Sequence, residues 1–107
     1  MLDLEDYLHI LRAVASLTRF RILNILYQNK QPLSQQQLVD ILEVSKSNVS
    51  RHAKILRNSN LIIQWKSGKH IYYALSPYLK PKTIITILKE VRKDTILQHD
   101  LKKLKRK

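Results

Sequence analysis

Residues 34–58 restrict the possible folds more than any other segment, because they hold two helical patterns with only two residues between them. In the first pattern, Ser34 and Gln37 form a capping box, which predicts a short helix that begins there. In the second, Ser45 is a suitable N-cap, and apolar side chains recur at helical spacing at Val49, Ala53 and Leu56. Two amphipathic helices joined so closely predict a helix-turn-helix.

The outer face of the second of these helices carries hydrogen-bond donors and short polar groups. Its members lie at i, i+3, i+4, i+7 and i+11 and are Ser47, Ser50, Arg51, Lys54 and Asn58. The chain has no acidic residue between Glu43 and Glu90, and its net charge is +12. This pattern indicates a polyanionic partner, with nucleic acid ahead of an ordinary basic surface or an anionic membrane.

The rest of the chain predicts a wing and two helical ends. Two β-rich runs, 61–66 and 69–75, surround Ser67 and Gly68 and predict a hairpin. Asp3 predicts a first helix to about Ala15, Ser16 or Thr18 begins a second, and apolar residues follow helical spacing from Ile84 to Leu104. The predicted fold class is mostly α with a small β-hairpin. One winged helix-turn-helix domain then spans 1–107, with dimerisation helices at 1–15 and 80–107, the helix-turn-helix at 34–58 and the wing at 61–75.

Several function classes are disfavoured by the composition. The chain has no cysteine, which excludes disulfides, thiolate metal sites and thiol redox sensing. The first ten residues lack the pattern of a signal peptide, and no apolar run approaches the roughly 18 residues of a membrane span. The few acidic residues form no recognisable catalytic arrangement. We therefore predict a cytoplasmic protein that is not an enzyme, with no cofactor and no membrane partner.

Three segments, in order, resemble the ArsR-type winged-helix repressors of bacteria and archaea. AVASLTRFRILNIL at 13–26 resembles the second-helix signature of that family, SKSNVSRHAKIL at 45–56 its recognition helix, and KSGKHIYYAL at 66–75 its wing. The resemblance covers about residues 13–75. It implies a prokaryotic, nucleoid-associated regulator that binds double-stranded DNA.

The chain departs from the family pattern at positions that matter for sensing. Many metal-sensing members carry two cysteines in the third helix, and Ser34 and Gln36 stand at the matching positions. Ser16 and Leu17 replace the usual Asp and Pro, and Glu43 replaces a common turn glycine. Some members bind metal through ligands on paired terminal helices. The corresponding residues lack the paired spacing of that site, so no metal is predicted, and they are His9, Asp94, His99 and Asp100.

Resemblance and periodicity together nominate the residues that would contact DNA. The candidates on the recognition helix are Lys46, Ser47, Asn48, Ser50, Arg51 and Lys54. Those on the wing are Lys66, Ser67, Lys69 and His70. His52 borders the apolar stripe, which favours a structural role. Core packing is favoured over base stacking for the aromatic residues Trp65, Tyr72 and Tyr73.

These features predict a dimeric, sequence-specific transcriptional regulator, most simply a repressor, bound to an inverted-repeat operator in double-stranded DNA. The alternative is a non-specific architectural or nucleic-acid-coating protein, for which the net charge alone would suffice. The homodimer is predicted from apolar stripes that a small winged core should not bury alone. They consist of Leu4, Leu8, Leu11, Ile84, Leu88 and Val91.

Overall fold

A computed structural model describes residues 2–79 and 82–105. Its elements are α1 (Leu4–Val14), α2 (Leu17–Asn29), β1 (Leu33–Ser34), α3 (Gln35–Leu42), α4 (Lys46–Asn58), β2 (Ile62–Ser67), β3 (His70–Leu75), α5 (Thr83–Glu90) and α6 (Thr95–Lys105). The predicted mostly helical class, with a helix-turn-helix followed by a hairpin, is confirmed. The outermost positions of the predicted terminal helices, Met1, Lys80, Pro81, Arg106 and Lys107, lie outside the described residues.

Side-chain caps set the starts of the first four helices at the predicted places. The Asp3 carboxylate accepts a hydrogen bond from the amide of Asp6, and Ser16 Oγ accepts one from the amide of Arg19. The Ser34 hydroxyl accepts from the amide of Gln37, whose side chain accepts from the amide of Ser34 in return. At the start of α4, the Ser45 hydroxyl accepts a hydrogen bond from the amide of Asn48. Such bonds satisfy amide groups that the first turn of a helix leaves without partners.

The turn between α3 and α4 forms without the glycine that is common in the family. Glu43 has a φ of 58°, in the left-handed region, and its amide donates to the carbonyl of Val39. A left-handed residue after a helix normally favours glycine, because a Cβ is crowded there. The glutamate therefore adopts the required conformation at some local cost, and the two helices meet as predicted.

The wing belongs to a three-stranded antiparallel sheet in the order β1-β3-β2. The hairpin of β2 and β3 was predicted, whereas β1 was not. Leu33 in β1 lies opposite Tyr73 in β3, which joins the segment before α3 directly to the wing. Tyr73 is buried, as predicted, but Trp65 remains 38% exposed and stacks on Tyr72 with ring centroids 6.1 Å apart.

The predicted helical run from Ile84 to Leu104 is wrong in one respect, because it is divided into α5 and α6. Asp94 lies at the break. Its Oδ1 accepts hydrogen bonds from the amides of Ile96 at 2.9 Å and Leu97 at 3.3 Å, and so caps α6. An aspartate that bonds nearby amides in this way starts a new helix instead of continuing the previous one.

The expectation that a single chain cannot bury the C-terminal apolar stripe is also wrong. Ile84 is 2% exposed and Leu88 is fully buried in the core of the same chain. Both were assigned to the dimer interface, yet neither offers surface to a partner. Val91 and the α1 residues Leu4, Leu8 and Leu11 do remain exposed.

Within the described residues, no helix is both long enough and apolar enough to cross a membrane.

Candidate nucleic-acid interface

The two faces of α4 separate as the spacing predicts. Val49, Ala53 and Leu56 are fully buried. The opposite face is exposed along its whole length, at Ser47, Ser50, Arg51, Lys54 and Asn58, and Lys46 is exposed beside it. A helix buried on one side and exposed on the other presents a continuous row of donors, with no acidic side chain in α4 itself.

Two of the predicted base-contacting residues touch each other on this face. Arg51 Nη2 donates a hydrogen bond to Asn48 Oδ1 at 3.3 Å. Asn48 is half-buried, so it is the more restricted of the two side chains. The contact holds the guanidinium along α4, one turn from the helix start. Near that start, the hydroxyls of Ser45 and Ser47 are 3.2 Å apart.

The wing presents its polar residues at the tip of the hairpin. Gly68 has a φ of 61° at the first of the two tip residues, where two-residue hairpin turns favour glycine. The four predicted wing contacts surround it and are all exposed, namely Lys66, Ser67, Lys69 and His70. The ring of His70 contacts Tyr72 edge to face, with ring centroids 6.3 Å apart, and Tyr72 in turn stacks on Trp65. The aromatic pair Trp65 and Tyr72 therefore packs beside the base of the hairpin tip.

A cleft of about 220 Å³ joins the wing to the helix-turn-helix. It brings together Lys46 at the start of α4 with Lys69 and His70 from the wing. Lys54, Lys66 and Ser67 are not among its lining residues. The cleft therefore places two lysines from separate elements beside one polar depression, an arrangement suited to an anionic oxygen.

Two glutamines at the start of α3, which were not predicted as DNA contacts, also line this cleft. Gln35 is buried, and its Nε2 donates to the hydroxyl of Tyr73 at 2.9 Å. Gln36 is exposed, and its Nε2 donates to Asp40 Oδ1 at 2.9 Å. The sequence does hold a signal that could have identified them, because both lie in the first turn of the first helix of the helix-turn-helix.

His52 has a structural role, as predicted, through Arg19 in α2. Arg19 Nη1 lies 3.1 Å from His52 Nδ1, and other guanidinium nitrogens donate to the carbonyls of Arg12 and Ala13. Because a guanidinium only donates, Nδ1 is the acceptor and the ring is neutral. Burial lowers the pKa of His52, and the positive charges of Arg19 and Arg51 lower it further.

This depressed pKa makes stability depend on pH. His52 in the unfolded chain titrates near its ordinary value of 6.5, so below that pH the unfolded state binds the proton more readily than the folded state. The free energy of unfolding should therefore fall as the pH drops below about 6.5 and level off below the folded pKa. Denaturant titrations from pH 8 to 5 on the parent and on His52→Gln, which retains an acceptor for Arg19, measure this. Equal pH slopes in both proteins would contradict it, since the other histidines are unchanged.

The C-terminal helix α6 contacts α2 and α3 through charged side chains. Arg21 in α2 forms two hydrogen bonds with the Asp100 carboxylate, at 2.9 and 2.8 Å, and the Asp100 side chain is 1% exposed. Lys103 Nζ donates to the carbonyl of Ile41 at 3.1 Å and lies 3.2 Å from Glu43 Oε1. Both contacts join residues far apart in sequence, and no sequence pattern predicts them.

The terminal-helix metal candidates are not brought together. Asp100 is paired with Arg21, and Asp94 caps α6. Across residues 2–79 and 82–105, no three His, Cys, Asp or Glu side chains form a group that could hold a metal ion.

Known proteins that resemble this chain in sequence and in structure share this architecture. The model of the family described as "Bacterial regulatory protein, arsR family" matches residues 16–64. The transcriptional repressor PagR of Bacillus anthracis is 32% identical over 75 residues, which are 70% of this chain and 74% of PagR. The crystal structure of PagR has a TM-score of 0.66 at 30% identity and covers 82% of this chain and 94% of its own.

Two further solved structures show the same fold. Reduced HlyU from Vibrio cholerae has a TM-score of 0.68 at 26% identity, over 82% of this chain and 86% of HlyU. A homodimeric winged helix-turn-helix DNA-binding domain from Mycobacterium bovis has a TM-score of 0.67 over 83% of this chain and 77% of that one. The latter is 17% identical, so it shows likeness of fold alone.

Proposed function

Because the chain belongs to the ArsR family of bacterial regulatory proteins, we propose that it represses transcription as a homodimer bound to a specific double-stranded DNA sequence. The observation that carries this proposal is the exposed outer face of α4. It combines side chains that match base edges: arginine pairs with guanine, asparagine with adenine, and serine with several bases. A protein that only neutralised phosphates would need charge there, not this mixture of groups.

We assign side chains to base contacts or to backbone contacts from their positions on α4 and on the wing. Lys46, Ser47, Asn48, Ser50 and Arg51 lie in the amino-terminal half of α4, the part of a recognition helix that enters the major groove. Lys54 lies further along and suits a phosphate. The wing residues Lys66, Ser67, Lys69 and His70 suit the backbone or the minor groove beside it.

The dimer is proposed from the apolar surface that one chain leaves uncovered. Leu4, Leu8 and Leu11 form an exposed stripe on α1, with Leu4 72% exposed. A groove of about 280 Å³ continues from Val14 at the end of α1 to Val91 and Ile96. Exposed apolar patches of this kind mark interaction surfaces, and the Mycobacterium bovis relative is homodimeric. A two-fold dimer would place its recognition helices about 34 to 36 Å apart, one turn of DNA, and so read an inverted repeat.

Two substitutions that each remove one positive charge test sequence reading. Arg51→Ala should cost roughly 1 to 3 kcal/mol on DNA selected from a random pool and much less on random duplexes, because a bidentate guanine contact discriminates by that amount. Lys69→Ala should weaken binding to all sequences alike and reduce the salt slope by about one counterion. Competition titrations at several salt concentrations measure both. Equal, sequence-blind losses would support the non-specific coat that the +12 charge permits.

The ion pair between Lys103 and Glu43, at the turn between α3 and α4, should also influence DNA affinity. Glu43 is three residues before Lys46, so its carboxylate would repel nearby phosphates unless Lys103 neutralises it. Lys103→Met should weaken binding about two- to fivefold at low salt. Glu43→Gln should change affinity little in the parent and raise it clearly in the Lys103→Met background. Because a pure net-charge effect is the same in both backgrounds, equal effects of Glu43→Gln would refute the pairing.

A further inference from the structure

Arg19 lies in the first turn of α2 and bonds to both α1 and α4. Its Nε donates to the carbonyl of Ala13, and its Nη2 donates to the carbonyl of Arg12 at 3.3 Å. Its Nη1 lies 3.1 Å from Nδ1 of His52 in α4. A guanidinium presents its donors in a rigid planar fork, so one side chain holds these acceptors in a fixed arrangement. Arg19 therefore links the helix proposed for pairing to the helix proposed for reading DNA.

The bonds to α1 complete the end of that helix. Carbonyl groups in the last turn of a helix have no partner within the helix itself. In α1, the carbonyl of Val14 accepts from the amide of Ser16, and the carbonyls of Arg12 and Ala13 accept from Arg19. The guanidinium also brings positive charge to the negative end of the helix dipole. Removing Arg19 would thus take a partner from two carbonyls and weaken the end of α1.

The helix α1 has little buried surface with which to hold its angle. Of its eleven residues, Ile10 and Ala13 are buried, whereas Leu4, Leu8 and Leu11 form the exposed stripe proposed for pairing. In contrast, α4 is anchored by its own fully buried apolar stripe. Segments with few buried apolar contacts change position most readily, so polar bonds at one end matter more for α1 than for α4.

We propose that Arg19 is a positioning residue that fixes the angle between α1 and α4, and thereby the separation of DNA half-sites that the dimer accepts. The second part rests on the proposed function, because it requires two chains paired through α1. Adding one base pair moves a half-site by about 3.4 Å and turns it by about 35° around the DNA axis. A dimer with a fixed angle should reject that change, whereas a dimer with a mobile α1 should tolerate it.

The angle can be measured in the free protein by electron paramagnetic resonance. Glu5→Cys in α1 and Lys54→Cys in α4, both at exposed positions, introduce the only thiols for spin labels, since the sequence has no cysteine. Dilution with unlabelled chain restricts the signal to distances within one chain. The parent should give a narrow distance distribution. Arg19→Met should widen it at least about twofold, because α1 loses the bonds that hold its end.

Three further variants separate positioning from charge and from folding. Arg12→Met removes the same charge from an exposed side chain and should leave the distribution narrow. His52→Leu removes the acceptor in α4 and should widen it, whereas His52→Gln keeps an acceptor and should not. Circular dichroism identifies the variants that remain folded. An unchanged width in folded Arg19→Met, or equal widening in Arg12→Met, would overturn the proposal.

The same chains without labels test the separation of half-sites. An operator selected by the parent from random DNA is compared with duplexes that have one base pair more or fewer between the half-sites. The parent should lose at least about tenfold in affinity on the altered duplexes, and Arg19→Met less than about threefold, because a mobile α1 adapts to both. Affinity for a single half-site should be equal in the two proteins. Equal rejection of the altered duplexes by both would refute the role in spacing. If the parent selects no inverted repeat, the proposed function fails, whereas the distance distributions still decide whether Arg19 fixes α1.

Discussion

Replacing Arg21 by methionine is expected to lower the free energy of unfolding by about 3 kcal/mol, because the Asp100 carboxylate is then left buried without a counter-charge. Asp100→Leu should cost less, since the Arg21 side chain is 17% exposed and can recover water. Denaturant titration followed by the fluorescence of Trp65, the one tryptophan, measures both changes.

The double variant Arg21→Met/Asp100→Leu is the decisive comparison. Apolar side chains of similar volume often replace a buried ion pair at little cost, so its stability should return to within about 1 kcal/mol of the parent. If the two single losses simply add in the double variant, the pair does not couple α2 to α6.

Leu11→Glu is expected to give a monomer whose affinity for an inverted-repeat operator falls by about 10² to 10⁴-fold. A two-fold dimer carries the substitution twice, so two carboxylates would enter the apolar stripe of α1. A monomer contacts only one half-site, so it loses the gain in affinity that a dimer obtains by binding two linked half-sites at once. Sedimentation gives the oligomeric state, and titration of operator and half-site duplexes gives the affinities. Half-site affinity should stay unchanged.

Ile63→Glu is the matched control for this experiment. Ile63 is 42% exposed, close to the 50% of Leu11, but it belongs to β2 and not to the α1 stripe. It should leave the dimer intact, and any loss of operator affinity should be far smaller than that of Leu11→Glu, because it reflects only the added charge. A Leu11→Glu protein that still sediments as a dimer would place the interface elsewhere on the surface.

The sequence by itself determined the local features of this fold. Ser34 and Ser45 cap their helices because the cap bond spans three residues and depends on no other part of the chain. Likewise, the exposed face of α4 follows from helical spacing and the apolar stripe of Val49, Ala53 and Leu56. The candidate DNA contacts were found from sequence for this reason, since they lie on one helix face and one hairpin tip.

Only the tertiary structure decided which apolar and charged surfaces meet. Ile84 and Leu88 have the same helical spacing whether they face their own core or a partner, so the pattern did not reveal that they are buried in one chain. Arg21 and Asp100 are 79 residues apart, and Lys103 and Ile41 are 62 apart. Their pairing depends on where α6 packs, a position reached only after Asp94 breaks the C-terminal helix.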